Sequence, residues 1–405
     1  MSNFNYDKSV LKGLGVGEFL GEVKIREQHI NAAPAEDIQS IFNANILAEK
    51  LHPSCQFVKV VQVIDRVDAK SFVLAADQSK GTEKLAYFRA GQYICIALCI
   101  GAVTCNRPYS LSSGPKDALT GSTYMITVKR SKGGFAGEFI LDNWTVGTEA
   151  VISGPLGDFY YQELRDAKNV VAIAGGSGIT PFYSMACAIA DGIEDFNLTI
   201  LYGSRTVAGI LLREELDAVA ARSKGKVKVV YVISDEQSWG GYEYGFITSD
   251  LIKKYAPNDE YSLFVCGPKA MYPFMRSEIE ALGIRRKYVR FELSGEYGDP
   301  AQDPTYPKGF DGKEYKITVH IRGTVKVVPV KTNQTLLSAM EAGGIRVPSD
   351  CRSGKCGWCH SRLISGKVFI PKGYDARRAA DKKFGWIHPC ITYPLGNIEI
   401  EVFPL

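Results

Sequence analysis

Four cysteines constrain this chain more than any other feature: Cys351-x4-Cys356-x2-Cys359, then thirty residues, then Cys390. Three thiols within nine residues demand a tight loop, and Gly354 and Gly357 supply the backbone freedom for it. A structural zinc site usually pairs C-x2-C knuckles, and only Cys356 and Cys359 have that spacing. A centre with two histidine ligands would call on His360 and His388, but four cysteines already complete a ligand set and leave both as bystanders. An all-cysteine iron–sulfur cluster fits best. Its negative charge calls for backbone N–H groups aimed at the sulfurs, with Arg352 and Lys355 nearby as cations.

The sequence around this loop reads as α+β. "YKITVHIRG" and "VKVVPV" form a hairpin and "TLLSAMEAGG" a short helix, with the cysteine loop after it. Residues 313–405 resemble a plant-type ferredoxin over their whole length. The resemblance implies a β-grasp fold with a 2Fe–2S cluster held by Cys351, Cys356, Cys359 and Cys390.

Upstream, the texture changes twice. Residues 1–54 read as an N-terminal extension, with an amphipathic helix over 34–52 whose apolar face (Ile38, Ile41, Phe42, Ile46, Leu47, Leu51) packs on this same chain. Over 55–162, short β-rich runs ("FVKVVQVIDRV", "SFVLAAD", "YICIALCI", "TYMITVKR", "EAVISG") alternate with Gly, Pro and Asp, the pattern of an antiparallel β-barrel. Over 163–293, continuous apolar strands ("NVVAIAG", "NLTILYGS", "KVKVVYVIS", "YSLFVCG") alternate with helices, which predicts an α/β parallel sheet. Residues 294–312 hold four Gly, three Pro and three Asp and read as a linker. The chain is thus multidomain.

Two stretches suit nucleotides. "RPYSLSS" offers Arg107 for a phosphate, Tyr109 for stacking on a flavin ring and Ser110 for a hydrogen bond near its N5, with Pro108 between. It is followed by Val128 and Lys129 at the end of "TYMITVKR", then by the Gly-rich turn Gly133, Gly134, Phe135 and Ala136 before a helix, a phosphate-binding arrangement. "AGGSGITP" follows a strand and opens a helix, so Gly175, Gly176 and Gly178, with Thr180 and Pro181, let backbone amides approach a dinucleotide. A later strand ends in Cys266, Gly267 and Pro268.

These motifs together resemble the ferredoxin–NADP reductase superfamily, and with the C-terminal ferredoxin-like segment the chain is similar to reductase components of multicomponent oxygenases. The resemblance implies flavin contacts by Arg107, Tyr109 and Ser110, a nicotinamide beside Cys266, and catalytic roles for Ser110, Cys266 and Glu292. Ser204 and Arg205 would read the adenosine ribose, with NADH and NADPH both open. Gly137 stands where FAD-binding members often carry Ser or Thr; FAD is favoured over FMN. Relatives with an attached ferredoxin often carry Glu-x-Phe where this chain has Glu292-Leu293-Ser294, so Phe291 becomes the candidate to shield the flavin.

Charge narrows the partner. Residues 313–405 carry 15 Lys+Arg against 7 Asp+Glu, whereas the rest carries 33 against 37; a basic segment of this kind fits an acidic docking surface on a protein acceptor or an ordinary solvated face, and both readings stay open. Basic residues do not interleave with aromatics, which argues against nucleic acid. "YICIALCIGAV" is too short to cross a bilayer, and clustered cysteines suit a reducing cytoplasm. Cys55, Cys95, Cys99, Cys105 and Cys187 read as small core residues. The expected function is NAD(P)H-dependent electron transfer through flavin and cluster to an external metalloprotein. The alternative is a non-catalytic electron-transfer subunit, docked through residues 1–54.

Overall fold

The computed structural model describes residues 16–32, 42–237, 240–293 and 295–403. The chain divides into two units, Met1–Ala48 and Glu49–Leu405. The first contains helix α1 (Val16–Ala32), which the sequence analysis did not anticipate. Helix α2 (Asn43–Leu51) is shorter than the expected 34–52 helix, whose residues 34–41 lie outside the described residues. Taken by itself, α2 buries none of its side chains, and Phe42, Ile46, Leu47 and Leu51 are exposed. Ile38 and Ile41 of the expected face lie outside the described residues. Three apolar side chains on nine residues offer at most about 1.5–3 kcal/mol each when fully buried, less than the ordering of the helix costs.

The second unit opens with strands β1 (Gln56–Arg66), β2 (Ala69–Ala76), β3 (Tyr93–Ile100), β4 (Val103–Ser110), β5 (Thr123–Lys129) and β6 (Glu149–Ile152). They form one antiparallel sheet in the order β4-β3-β6-β1-β2-β5. A bridge from Leu111 to Ile126 draws its two edges together, so the sheet curls into a half-barrel around Phe72, Ile94, Ile96 and Tyr124. Strand β4 was not predicted as one, because Asn106 and Pro108 interrupt its pattern. Proline is tolerated there because β4 is the edge strand and needs no outward N–H partner. Helices α3 (Pro115–Thr120) and α4 (Phe135–Asn143) flank β5. The alternation of β3 also turns Cys99 outward, so Cys99, like Cys55, is exposed rather than a core residue; Cys95, Cys105 and Cys187 are buried.

Strands β7 (Asn169–Gly175), β8 (Asn197–Ser204), β9 (Val227–Ile233), β10 (Glu243–Tyr244), β11 (Tyr261–Cys266) and β12 (Val289–Glu292) form a parallel sheet in the order β10-β9-β8-β7-β11-β12. Its crossover helices are α5 (Thr180–Ala190), α6 (Arg213–Arg222), α7 (Ser249–Tyr255) and α8 (Met271–Leu282). Central β7 is buried on both faces, which is why it reads as an unbroken apolar run. The barrel and sheet are joined by Arg290, whose Nη1 donates to the carbonyls of Tyr160 and Asp158 and whose Nε lies 3.2 Å from the buried Asp166 carboxylate.

The last part has β13 (Glu314–Ile321), β14 (Thr324–Lys331), helix α9 (Leu336–Ala342), β15 (Ser361–Ser365), β16 (Val368–Phe369), β17 (Trp386–Ile387), β18 (Tyr393–Pro394) and β19 (Ile398–Val402). A mixed sheet in the order β14-β13-β19-β15-β17 carries α9 on one face, with Ile317, Val319, Leu337, Met340 and Ile400 between them. The segment read as a linker is not slack. Glu296 is held by side chains of this last part, and Tyr393 Oη donates to the Gly298 carbonyl at 2.8 Å. Glycine and proline density reports turns, and turns pack as readily as they span.

Candidate active site: a cleft lined by all three folded parts

The parallel strands β7 and β11 end side by side, and their two glycine turns touch. A Cβ at Gly178 would overlap the carbonyl oxygen of Cys266; one at Gly175 would lie 2.8 Å from Met271 Sδ and Pro268 Cδ. Thr180 Oγ1 donates to the Ser177 carbonyl at 3.0 Å, and Pro181 is buried at the start of α5, so this turn is rigid. Gly176 takes φ +51 and sits near Lys129 Nζ.

These turns open on a cleft of about 1570 Å³ shared by the barrel, the parallel sheet and the cysteine loop. From the barrel come Arg107, Pro108, Tyr109 and Ser110 on β4, Val128 and Lys129 on β5, and Gly133, Gly134, Phe135 and Ala136 at the N-terminus of α4. Gly134 caps that helix without a side-chain bond, which leaves first-turn amides free for an anion. Gly178, Thr180, Cys266, Gly267, Pro268 and Glu292 line the opposite wall, and Cys351 and Cys356 close the third side. Ser204 and Arg205 do not line the cleft. They stand at the end of β8, Arg205 largely exposed with its Nε 3.7 Å from the Asp235 carboxylate.

Glu292 pairs with Cys266 across β11 and β12. Burial is the main force that raises its carboxyl to about 7, opposed by Lys355 Nζ at 3.7 Å and reinforced by Asp158. Burial likewise pushes the Cys266 thiol up. Phe291, expected as a flavin shield, does not line the cleft. Strand alternation turns it away from the cleft-facing Glu292, against Tyr272 and under Arg276 at 4.6 Å; Leu293, just past the end of β12, lines the cleft instead. Ser294 lies outside the described residues.

The cysteines converge in two pairs. Cys351 lies beside Cys356, and Cys359 beside Cys390. Among the described residues no three His, Cys, Asp or Glu side chains meet at one ion-sized point. Two thiols for each of two irons is the donor set of a 2Fe–2S cluster; a zinc ion needs all four at one centre. Amides point at the sulfurs as expected: Ser353 N and Cys356 N donate to Cys351 Sγ at 3.5 and 3.3 Å, and Trp358 N to Cys356 Sγ at 3.4 Å. Gly354 (φ +78) is required, since a Cβ would strike Ile391 and the Tyr374 carbonyl at 2.8 Å. His388 Nδ1 bonds the Gly354 carbonyl at 2.8 Å and His360 stacks on Trp386, so neither histidine joins the thiols.

Several residues here escaped sequence reasoning. Lys355 was expected to serve the cluster's charge; its Nζ instead donates to the Phe291 carbonyl at 2.6 Å and faces Glu292. Arg352 turns from the sulfurs to Glu341 and Glu296. Tyr93, Cys95 and Leu156 of the barrel pack on Cys351. Arg107 lines the cleft, yet its Nη1 lies 3.4 Å from Glu341 Oε2. Apart from Arg352–Glu341, which lies within the last part, each of these contacts joins separate parts of the chain and carries no sequence signal.

Comparison with known proteins agrees with this layout. Three family models match in order: an oxidoreductase FAD-binding domain over 59–161, an oxidoreductase NAD-binding domain over 172–277 and a 2Fe-2S iron-sulfur cluster binding domain over 319–395. The glycine betaine monooxygenase reductase subunit of Chromohalobacter salexigens is 26% identical over 85% of this chain and 94% of its own length. The ferredoxin reductase component of the 3-ketosteroid-9-alpha-monooxygenase of Rhodococcus rhodochrous is 28% identical over 86% and 98%. The solved structure of phthalate dioxygenase reductase superposes with a TM-score of 0.60 at 24% identity, over 86% of this chain and 98% of that one, a likeness of fold. The chain is thus an oxidoreductase that carries an FAD-binding domain, an NAD-binding domain and a C-terminal 2Fe–2S cluster binding domain, in that order.

Proposed function

We propose that this chain is the NADH-dependent reductase component of an oxygenase system, delivering electrons from its 2Fe–2S domain to a separate oxygenase protein. The observation that carries this reading is one cleft lined by the β4 motif, by Gly178, Thr180, Gly267 and Pro268 of the two glycine turns, and by Cys351 and Cys356. When bound, FAD takes two electrons from the nicotinamide and releases them singly to a cluster that carries one at a time.

The protein's own part is alignment. Tyr109 and Ser110 would orient the flavin ring, and Lys129 with the amides of 134–136 its phosphates. Gly175, Gly176 and Gly178, with Thr180 and Pro181, would hold the dinucleotide, while Cys266, Gly267 and Pro268 flank the nicotinamide. Glu292, titrating about 7, can hold a proton on its carboxyl within the cleft. Cys351, Cys356, Cys359 and Cys390 would hold the cluster, and the barrel side chains against Cys351 would bring it close to the flavin.

The preference for NADH rests on Asp235. The Asp235 carboxylate, 3.7 Å from the Arg205 guanidinium, would repel a 2′-phosphate, while it can accept a bond from a 2′-hydroxyl. Asp235→Ala is expected to improve kcat/KM with NADPH by about tenfold, a difference of about 1.4 kcal/mol. Steady-state kinetics with both nucleotides check it, and an unchanged ratio would remove Asp235 from the argument.

The acceptor would present an acidic surface to the basic 2Fe–2S domain, in a reducing cytoplasm that suits ten unpaired cysteines. Among the described residues no helix is long and apolar enough to cross a membrane. The test is anaerobic titration with NADH followed by optical spectra and EPR. Flavin bleaching and then a rhombic cluster signal are expected. A flavin that NADH does not bleach would favour a non-catalytic electron-transfer subunit.

A further inference from the structure

Four charged side chains gather where the barrel edge meets the cysteine loop. Arg352, directly after Cys351, grips Glu341 of α9 in a fork, Nη1 to Oε1 at 2.6 Å and Nη2 to Oε2 at 3.0 Å. Its Nη2 also bonds Glu296, whose oxygens accept from Thr335 Oγ1 at 2.8 Å and Ser338 Oγ at 2.9 Å. From the barrel, Arg107 Nη1 reaches Glu341 Oε2 at 3.4 Å, and the neighbouring Asn106 Nδ2 donates to the Ser349 carbonyl at 3.0 Å.

Arg352 and Glu341 are only 2% and 3% exposed. The group holds two cations and two anions and is neutral, so no charge is buried alone. Buried ion pairs add little net stability over apolar packing, but they are directional, and a forked guanidinium–carboxylate pair fixes orientation. Arg352 also holds φ +53, a left-handed conformation rare for a non-glycine residue. The loop is therefore pinned by its charge contacts on the side that faces the barrel.

We infer that Arg107, Glu341, Arg352 and Glu296 form a clasp that holds the cluster loop in one register against the flavin wall. Glu341 is then a positioning residue for electron transfer from flavin to cluster: it touches neither group and acts through Arg352 and Arg107. The inference rests on the reductase reading. It also gives Arg107, assigned by resemblance to a flavin phosphate, a second contact across the domain junction.

Glu341→Gln removes one charge and keeps the shape. In the holoprotein, anaerobic stopped-flow is expected to show flavin bleaching by NADH unchanged and the following cluster reduction slowed by about tenfold, since misplacement of about 1 Å can reach a hundredfold. NADH-driven ferricyanide reduction should hold steady, and in the charge-neutral Asn106→Ala variant the cluster's potential should not move. Hydrogen exchange at 103–107 and 349–352 should quicken, and Glu341→Asp should restore part of the rate. If the variant loses its cluster, Asn106→Ala, which cuts a neutral bond across the same junction, should show the same selective slowing. Wild-type transfer in the folded variant, or slowing with a shifted potential and unchanged exchange at 103–107, overturns the clasp. Failure of the reductase reading looks different: NADH would then not bleach the wild-type flavin at all.

Discussion

Exchanging Cys356 for serine is expected to erase the rhombic EPR signal of the reduced cluster and to cut cytochrome c reduction by about a hundredfold or more. Loss of a mere outer contact to a metal ligand already costs about 10–100-fold, and Cys356 is itself a proposed cluster ligand, beside Cys351. The protein holds no ready substitute. Cys95 packs against Cys351, but burial and the Asp350 carboxylate keep its thiol protonated, which makes it a poor ligand. NADH-driven ferricyanide reduction should survive, because the flavin and nicotinamide walls of the cleft come from other strands. EPR and the two acceptor assays, run on one preparation, give the answer. Persistent cytochrome c reduction without the signal would mean that electrons leave the flavin directly. Loss of both activities with flavin still bound would mean that they cannot leave it without the cluster.

The second large effect is expected from Gly178→Ala. A Cβ there would overlap the Cys266 carbonyl oxygen and come within 2.7 Å of Gly267 Cα. Both obstacles are backbone, so no rotamer change relieves them, and the two turns proposed to flank the nicotinamide must separate. Flavin bleaching by NADH in stopped-flow should slow by about a hundredfold, while bound FAD and the cluster spectrum stay as in the wild type. Gly175→Ala should be milder, because its nearest obstacle includes the flexible Met271 side chain. If Gly178→Ala reacts with NADH at the wild-type rate, the turns are not the nicotinamide site.

Much of the architecture was legible before any coordinates. The strands "NVVAIAG" and "YSLFVCG" correspond to β7 and β11, and the cysteine spacing marked a loop whose amides do point at sulfur. Strand β4 was missed because Pro108 disguises it, although an edge position makes proline harmless. Helix α2 was placed in part, but its apolar residues are exposed, since periodicity reports an amphipathic face and not what covers it.

The sequence by itself marked the cysteine loop, the glycine turns and the order of the three domains, because each is written in a short stretch whose spacing sets its own local geometry. Only the tertiary structure decided which way their neighbours point. Arg107 lies 234 residues from Glu341, Lys355 is 64 from the Phe291 carbonyl it binds, and Glu296 is 56 from Arg352. Contacts of that range form when whole domains pack. A guanidinium beside one phosphate motif can then turn to a carboxylate on another domain, a choice that depends on burial and mutual neutralisation rather than on local spacing.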